Sequence, residues 1–248
     1  MAINDSSSIE GFVLREFPYK ESSKIIEVFT KYLGKISIIA RGVFKKKSTN
    51  LSSTQRFVKA SYNLYKSGKS FYGIKDASLI NSYSKSNRNF DIIIYKSAIC
   101  DLLLRTIDYD QKDLVYNLID RTWEGFEKAS ENYLNIFLCF LLKYISFSGF
   151  KPSLKNCSIS GKVINPSDAY FSIKEGGMIN SSYHIKDRIY LTKSEYLYLL
   201  KILYTESTMV WEIDLDIGKE KITRLIINYC LECLEIKEFS SLKWAMKK

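Results

Sequence analysis

Histidine and cysteine are scarce in this 248-residue chain, and long apolar runs are missing. One histidine, His184, excludes metal sites built on several imidazoles, and we interpret it as a surface or loop residue. Five scattered cysteines, an odd number, do not predict a disulfide framework. The most apolar window, Tyr133–Leu142, is far shorter than the roughly 20 residues of a membrane-spanning helix, and no secretory pattern opens the sequence. We therefore expect a soluble protein of a reducing cytoplasm, with no membrane partner.

Positive charge is abundant and unevenly distributed. The formal net charge is +10, and 46% of the residues are hydrophobic, so the chain can fold around a real core. Residues 1–80 hold 14 Lys and Arg against 6 Asp and Glu, whereas the remainder holds 23 against 21. This excess predicts an anionic partner: nucleic acid, a membrane surface or an acidic protein.

The spacing of apolar residues changes character near residue 89. Before it, β-branched and aromatic segments separated by turn residues predict five strands, which fit a small barrel. The predicted strands cover residues 9–17, 24–30, 34–42, 55–65 and 70–80. After residue 89, helical periodicity predicts five helices, with an irregular stretch at 151–189. The predicted helices cover residues 90–107, 113–129, 132–149, 192–207 and 218–236. The fold class is therefore α+β, with a barrel ahead of a helical domain.

Enzyme motifs are weak throughout. Gly68–Ser70 resembles the end of a phosphate-binding loop, but Asn63 stands where that loop needs its first glycine, so a hairpin turn is favoured. Cys230 and Cys233 form a CxxC inside a helical pattern, which favours core packing. Two acidic clusters could hold a divalent cation for phosphodiester cleavage, although carboxylates at helix starts are commoner. The clusters are Asp108, Asp110 and Asp113, and Glu212, Asp214 and Asp216.

The basic barrel carries the strongest physical signal. Barrels of the oligonucleotide-binding (OB) type bind single strands with surface aromatics and cationic loops. The run IIARGVFKKKS at Ile38–Ser48 ends a buried strand in cations that no core can accept. We predict Tyr62 or Tyr65 as base-stacking residues, although about half of the aromatics must fill the barrel. The predicted phosphate contacts are Arg41, Lys45, Lys46 and Lys47, with Lys35, Arg56 and Lys59 secondary.

The segment Gly11–Ser48 contains an ordered set of short features. They are a strand ending at Leu14–Arg15, then Glu21, then Phe29–Thr30 with Gly34–Lys35, and Ala40–Arg41–Gly42 before basic residues and Ser48. In order and spacing these features resemble the start of the bacterial RecO family of recombination mediators. Later segments, GFKPSLKNC and FSIKEGGMI, resemble those flanking a small zinc-binding subdomain in that family. The resemblance covers most of the chain, and its first block is the most specific part.

The zinc ligands of the family are mostly missing here. Cys157 occupies the first ligand position, but Ser160, Asn180 and Tyr183 occupy the other three. A structural zinc site needs four nitrogen or sulfur ligands, so we predict no zinc and no other cofactor. We call residues 151–189 a degenerate zinc-finger-like region.

The resemblance implies a non-enzymatic role in recombinational repair. Such proteins bind single- and double-stranded DNA, anneal complementary strands and, with RecR, help RecA displace single-strand-binding protein, whose C-terminal tail docks on the helical domain. The implied location is the cytoplasm, at the nucleoid. The domain ranges are 1–82 for the barrel, 83–150 and 190–248 for the helical domain, and 151–189 between them. Two alternatives remain open: a protein-interaction scaffold with incidental DNA affinity, and a metal-dependent nuclease.

Overall fold

A computed structural model describes residues 8–106, 111–214, 218–239 and 241. The chain divides into two compact units. One holds the described residues up to Tyr116 together with Ser241, and the other holds the described residues from Asn117 to Phe239. The four domain ranges expected from the sequence stay predictions.

The first unit contains a closed five-stranded barrel with the strand order β1-β2-β3-β5-β4. All neighbours are antiparallel except β3 and β5, which run parallel where Ile38 faces Tyr72. This arrangement is that of an OB barrel, so the predicted fold class is confirmed for the barrel. The strands are β1 (Ile9–Tyr19), β2 (Ser23–Thr30), β3 (Gly34–Ala40), β4 (Lys59–Lys66) and β5 (Tyr72–Asn81).

Alternating residues of the strands fill the barrel. On β4, Ala60, Tyr62 and Leu64 are buried, whereas Asn63 between them is exposed. Ile26 and Val28 of β2 join the same apolar cluster, together with residues from the other strands. Burial of such side chains is the main free-energy gain that closes the barrel.

The connection from β3 to β4 differs from the expectation. The fourth strand was expected from residue 55, but it begins at Lys59. Ahead of it lie a 3₁₀ turn, Ser52–Thr54, and Phe57, whose φ of 72° is incompatible with a strand. The neighbouring β1 carries a bulge between Val13 and Arg15, and Phe57 donates its backbone N–H to the Val13 carbonyl.

Helix α1 (Phe90–Thr106) follows the barrel within the first unit. A buried lysine, Lys96, links this helix to the 3₁₀ turn Ser86–Arg88 that precedes it. Its ammonium donates to Ser86 Oγ and to Asn87 Oδ1, each at 2.8 Å, and lies over the ring of Tyr83. These contacts compensate for the loss of hydration of the charge.

The helical region agrees with the predicted periodicity. Its helices are α2 (Lys112–Lys128), α3 (Tyr133–Ile145), α4 (Lys193–Tyr204) and α5 (Lys219–Cys233). Helix α4 begins with a reciprocal cap in which Thr192 accepts from the Glu195 N–H and Glu195 accepts from the Thr192 N–H. Helix α3 continues into a wider turn, Ser146–Phe150, which ends as Gly149 adopts a φ of 91°.

The described residues contain one segment, Tyr133–Phe150, that is long and apolar enough to cross a membrane. Its central residues are packed inside the second unit, where Ile136 through Leu142 are buried. Length and composition alone are weak evidence, because the core helix of a folded protein has the same properties. The burial identifies α3 as such a core helix.

Residues 151–189 are more regular than the sequence predicted. They contribute to a three-stranded antiparallel sheet of order β7-β6-β8. Its strands are β6 (Ala169–Ser172), β7 (Gly177–Asn180) and β8 (Ile189–Leu191). Strands of three or four residues are too short to show a period of two, so no local pattern in the sequence indicates them. The zinc-finger-like character of this region stays a prediction.

Candidate nucleic-acid interface

Three loops meet at one end of the barrel. They are the β1–β2 turn at 20–22, the first part of the β3–β4 connection at 41–48, and the β4–β5 turn at 67–71. The Gly42 N–H donates to Ser23 Oγ at 3.2 Å, and the Phe44 N–H donates to the Ser22 carbonyl at 3.1 Å. Arg41 Nη2 donates to Ser67 Oγ at 3.1 Å. The middle loop is thereby joined to both of its neighbours.

The lysine-bearing loop is an ordered pair of turns. The Lys45 N–H donates to the Gly42 carbonyl at 3.0 Å, and the Ser48 N–H donates to the Lys45 carbonyl at 2.9 Å. Gly42 has a φ of 65°, which glycine adopts without steric cost, and Val43 is buried beneath the loop. The side chains of Lys45, Lys46 and Lys47 are exposed. The fold therefore presents three adjacent ammonium groups on a fixed backbone.

These loops and the end of β4 together carry a strong positive charge, which we call the loop cluster. In the described chain, none of its cations forms an ion pair with a carboxylate, and Glu21 is the one acidic residue in the three loops. Unpaired exposed cations at such density attract polyanions over roughly the Debye length of 10 Å. The members, all exposed, are Lys20, Arg41, Lys45, Lys46, Lys47, Lys66 and Lys69.

The Gly68–Ser70 segment lies in the β4–β5 turn of this cluster. Gly68 has a φ of 88°, and the Ser67 N–H donates to the Phe71 carbonyl at 2.8 Å. The hairpin-turn interpretation of this segment is confirmed.

An outward-facing aromatic ring lies beside the loop cluster. Tyr65 is paired with Gly73 across β4 and β5, and its ring covers the glycine so closely that a Cβ there would be 2.2 Å from Tyr65 Cζ. The ring is half-buried, and it is two residues from Ser67, the partner of Arg41. Its stacking role stays a prediction that this position favours.

Tyr62 requires a correction, because the structure encloses its ring completely. Its exposed fraction is 0%, and its hydroxyl donates to the Ser53 carbonyl at 2.7 Å. Burial raises the pKa of this hydroxyl far above its ordinary value. A base cannot stack on an enclosed ring, so the predicted stacking role of Tyr62 is not supported. Tyr62 and Tyr65 are three residues apart and lie on opposite faces of β4, with Tyr62 pointing inward.

Two of the secondary cations, Lys35 and Lys59, lie at the opposite end of their strands from the loop cluster. Lys35 is the second residue of β3 and stands six residues before Arg41, a separation of roughly 20 Å along a strand. It donates to the Leu104 carbonyl at 3.0 Å, near the end of α1. Lys59 lies over the ring of Phe12, with its ammonium 5.5 Å from the centroid. Lys35 thereby links the barrel to α1, and Lys59 links it to the start of α2, because its ammonium also lies 5.6 Å from the centroid of the Tyr116 ring.

Arg56 is also fixed by the protein. Its Nε donates to the Leu14 carbonyl at 3.0 Å, and its guanidinium lies 4.6 Å from the centroid of the Phe57 ring. The backbone N–H of Arg56 donates to Glu16. The arginine thus belongs to a separate surface near the loop cluster, and its predicted role in DNA binding stays a prediction.

The possible catalytic groups do not assemble in the part of the chain that the structure describes. Asp108, Asp110 and Asp216 lie outside the described residues, and no three His, Cys, Asp or Glu side chains among the described ones could hold a metal ion together. His184 is exposed in a loop, as expected. All five cysteines are free thiols. Cys230 is buried on α5, and burial raises the pKa of its thiol, in keeping with core packing.

Cys157 lies in a tight turn without other thiols beside it. Its backbone N–H donates to the Lys162 carbonyl at 2.7 Å, and the Gly161 N–H donates back to the Cys157 carbonyl at 2.8 Å. Burial by itself would raise the pKa of the thiol, but hydrogen bonds from Ser160 and from the backbones of Asn180 and Ile159 lower it overall. The lowered pKa means that these hydrogen bonds favour the thiolate form of Cys157. One thiolate supplies one metal ligand, and a structural zinc site needs four.

Comparisons with known proteins agree with this architecture. The family model "Recombination protein O N terminal" matches residues 3–83, and "Recombination protein O C terminal" matches residues 88–242. A protein named DNA repair protein RecO from Caldanaerobacter subterraneus is 27% identical over 242 residues, covering 96% of each chain. A namesake from Exiguobacterium sibiricum is 28% identical, covering 90% of this chain and 89% of the relative.

Higher identity is found over a shorter match. A DNA repair protein RecO from Clostridium novyi is 32% identical over 169 residues, covering 68% of this chain and 65% of the relative. Both halves of the sequence thus match the same family, and the barrel and helical region agree with its two models. The chain belongs to the RecO family of DNA repair and recombination proteins.

Proposed function

We propose that this protein is a DNA-binding recombination mediator that binds single- and double-stranded DNA through the loop cluster and anneals complementary strands. The observation that carries the proposal is the set of seven exposed cations gathered at one end of an OB barrel. The same loops contain one acidic residue, Glu21. Family membership supports a role in DNA repair and recombination. The loop cluster supplies a physical basis for it.

Annealing by such a surface needs no covalent chemistry. Two complementary strands repel each other through their phosphates, and lysines that neutralise both strands reduce that repulsion. The release of condensed counterions drives the binding, which is largely independent of sequence. A half-buried, outward-facing ring such as Tyr65 gives any base a stacking surface. We accordingly assign the protein no catalytic residues and no cofactor.

The proposed partners follow from the family resemblance. We infer that the protein acts with RecR to help RecA displace single-strand-binding protein, and that the C-terminal tail of the latter docks on the helical region. The proposed location is the cytoplasm, where the nucleoid presents the DNA. The positive charge of the loop cluster is compatible with binding to naked or partly coated strands.

The experiment that tests the proposal is annealing of complementary strands coated with cognate single-strand-binding protein. The variant Lys45→Glu/Lys46→Glu/Lys47→Glu replaces three positive charges of the loop cluster by three negative ones. A matched control changes Lys186, Lys193 and Lys237 to Glu, at exposed positions of the second unit, with the same change in net charge. We expect the first variant to lose annealing and DNA binding together, and the control to retain both.

Four results would speak against the proposal. Full activity of the loop variant would place the DNA surface elsewhere, and equal loss in both variants would make net charge alone responsible. Failure of the wild type to anneal or bind DNA would favour the protein-interaction scaffold. Magnesium-dependent loss of labelled DNA would instead favour the nuclease alternative.

A further inference from the structure

A groove opens in the first unit next to the lysine-bearing loop. Its volume is about 450 Å³, within the range of about 300–1,000 Å³ typical of small-molecule sites. The groove is lined by Phe44 and Leu51 from the β3–β4 connection, by Arg56 and Phe57 ahead of β4, and by Lys24 of β2. Nothing in the phosphate-binding role of the loop cluster requires such a groove.

The walls of the groove expose apolar groups that a folded protein normally covers. Phe44 is 51% exposed and Leu51 is 42% exposed, although both come from a segment tied to the barrel by backbone hydrogen bonds. Phe57 has a φ of 72°, a backbone conformation that is strained for an aromatic residue. Strain of this kind, beside exposed apolar groups, is typical of binding sites.

The polar groups of the groove are held in place before any ligand binds. Glu16 Oε2 accepts from the ammonium of Lys24, and Glu16 Oε1 accepts from the Arg56 N–H at 3.1 Å. The Arg56 guanidinium lies on the Phe57 ring, and its Nε donates to the Leu14 carbonyl. The guanidinium is therefore a fixed planar cation, suited to stacking and to hydrogen bonding with a flat polar ligand.

The charge around the groove selects the ligand. Phe44 is followed directly by Lys45, Lys46 and Lys47, which are exposed and have no carboxylate partner in the described chain. A ligand with a flat apolar face and an adjacent anion satisfies both features. An unpaired nucleotide has this chemistry at every position of a strand, whereas a protein partner has it only where an acidic group adjoins an aromatic side chain.

We propose that the groove takes one unpaired base of single-stranded DNA against Phe44, with the neighbouring phosphates on the three lysines. The inference rests on the proposed function and deepens it, because it gives the loop cluster a preference for single strands. Paired bases remain in the duplex stack, so a duplex gains only the phosphate contacts.

The test compares binding of wild type and Phe44→Ala to a single-stranded oligonucleotide, its duplex, and a strand of the same length made of abasic sites. Loss of base–aromatic stacking predicts a fall of about 5-fold or more in single-strand affinity for Phe44→Ala. Duplex and abasic-strand affinities should stay within about twofold of wild type, because neither substrate offers an unpaired base. Tyr32→Ala, at a 66% exposed ring in the β2–β3 turn, is the matched control and should match wild type on every substrate.

Equal affinity of Phe44→Ala and wild type for the single strand would overturn the base-binding inference, as would an equal loss on all three substrates. Loss of binding to a purified protein partner with unchanged DNA affinity would mark the groove as a protein site and overturn it too. The proposed function fails separately, when the triple lysine variant keeps full affinity for both strand types.

Discussion

Replacing Lys45, Lys46 and Lys47 by glutamine removes three of the seven exposed cations of the loop cluster without adding negative charge. For single strands the logarithm of the binding constant falls with the logarithm of salt concentration, with a slope of about −0.7 per neutralised phosphate. If each of the seven cations of the loop cluster contacts one phosphate, the wild-type slope is about −5 and the variant slope is about −3. Between 50 and 200 mM salt, the wild type then loses about 1,000-fold in affinity and the variant about 50-fold.

Fluorescence anisotropy with a labelled oligonucleotide over a salt series measures both slopes. The slope is more informative than a single affinity, because it counts phosphates irrespective of what else the surface contributes. A control with Lys186, Lys193 and Lys237 changed to Gln should keep the wild-type slope. The reasoning is refuted if the loop variant keeps the wild-type slope, or if the control slope falls by the same amount.

Three further predictions concern the fold. Tyr62→Phe removes the buried hydrogen bond to Ser53 and should lower the free energy of unfolding by about 1–3 kcal/mol in denaturant titrations, while DNA affinity stays unchanged. Glu195 has a lowered pKa because hydrogen bonds from Lys221 and from the helix cap outweigh its burial, so its stabilisation is present above the unfolded pKa of about 4.3 and is lost as pH falls through the lower folded value. Glu195→Gln should therefore destabilise the protein at pH 7 and flatten its acid unfolding profile, whereas an unchanged profile would exclude this role. Purified protein should contain no stoichiometric zinc by elemental analysis, and a chelator should leave its melting temperature unchanged, since Cys157 is one ligand of the four required.

The barrel could be predicted because its strands combine β-branched alternation with clear turn signals. Ser23–Thr30 and Gly34–Ala40 differ from the predicted strands by two residues or fewer at any end. The start of β4 was misplaced because Gln55–Val58 has strand-like composition, while tertiary contacts force Phe57 to a positive φ. The three short strands between residues 169 and 191 were missed because three or four residues are too few to show alternation, and because β8 pairs with β6 across the intervening β7.

Part of the candidate site was predictable, namely the exposure of its consecutive lysines. A run of three lysines after a glycine is exposed in any fold, so the placement of Lys45–Lys47 follows from their charge. Whether Lys35 or Arg56 is available depends on the carbonyls of Leu104 and Leu14, which the fold alone brings near. Alternation along β4 places either Tyr62 or Tyr65 inside the barrel, and the sequence does not show which of the two points inward. Lys20, Lys66 and Lys69 belong to the loop cluster because barrel closure brings the β1–β2 and β4–β5 turns beside the lysine-bearing loop. The sequence alone does not show this proximity.

Lysine footprinting tests most directly whether the loop cluster is the DNA-binding surface. Wild-type protein is acetylated under limiting reagent, with and without saturating single-stranded DNA, and the rate at each lysine is read by mass spectrometry. We predict strong protection of Lys45, Lys46 and Lys47 and unchanged rates at Lys186 and Lys193, which are also exposed. Unchanged rates at the three loop lysines while bound DNA protects other positions would contradict the account.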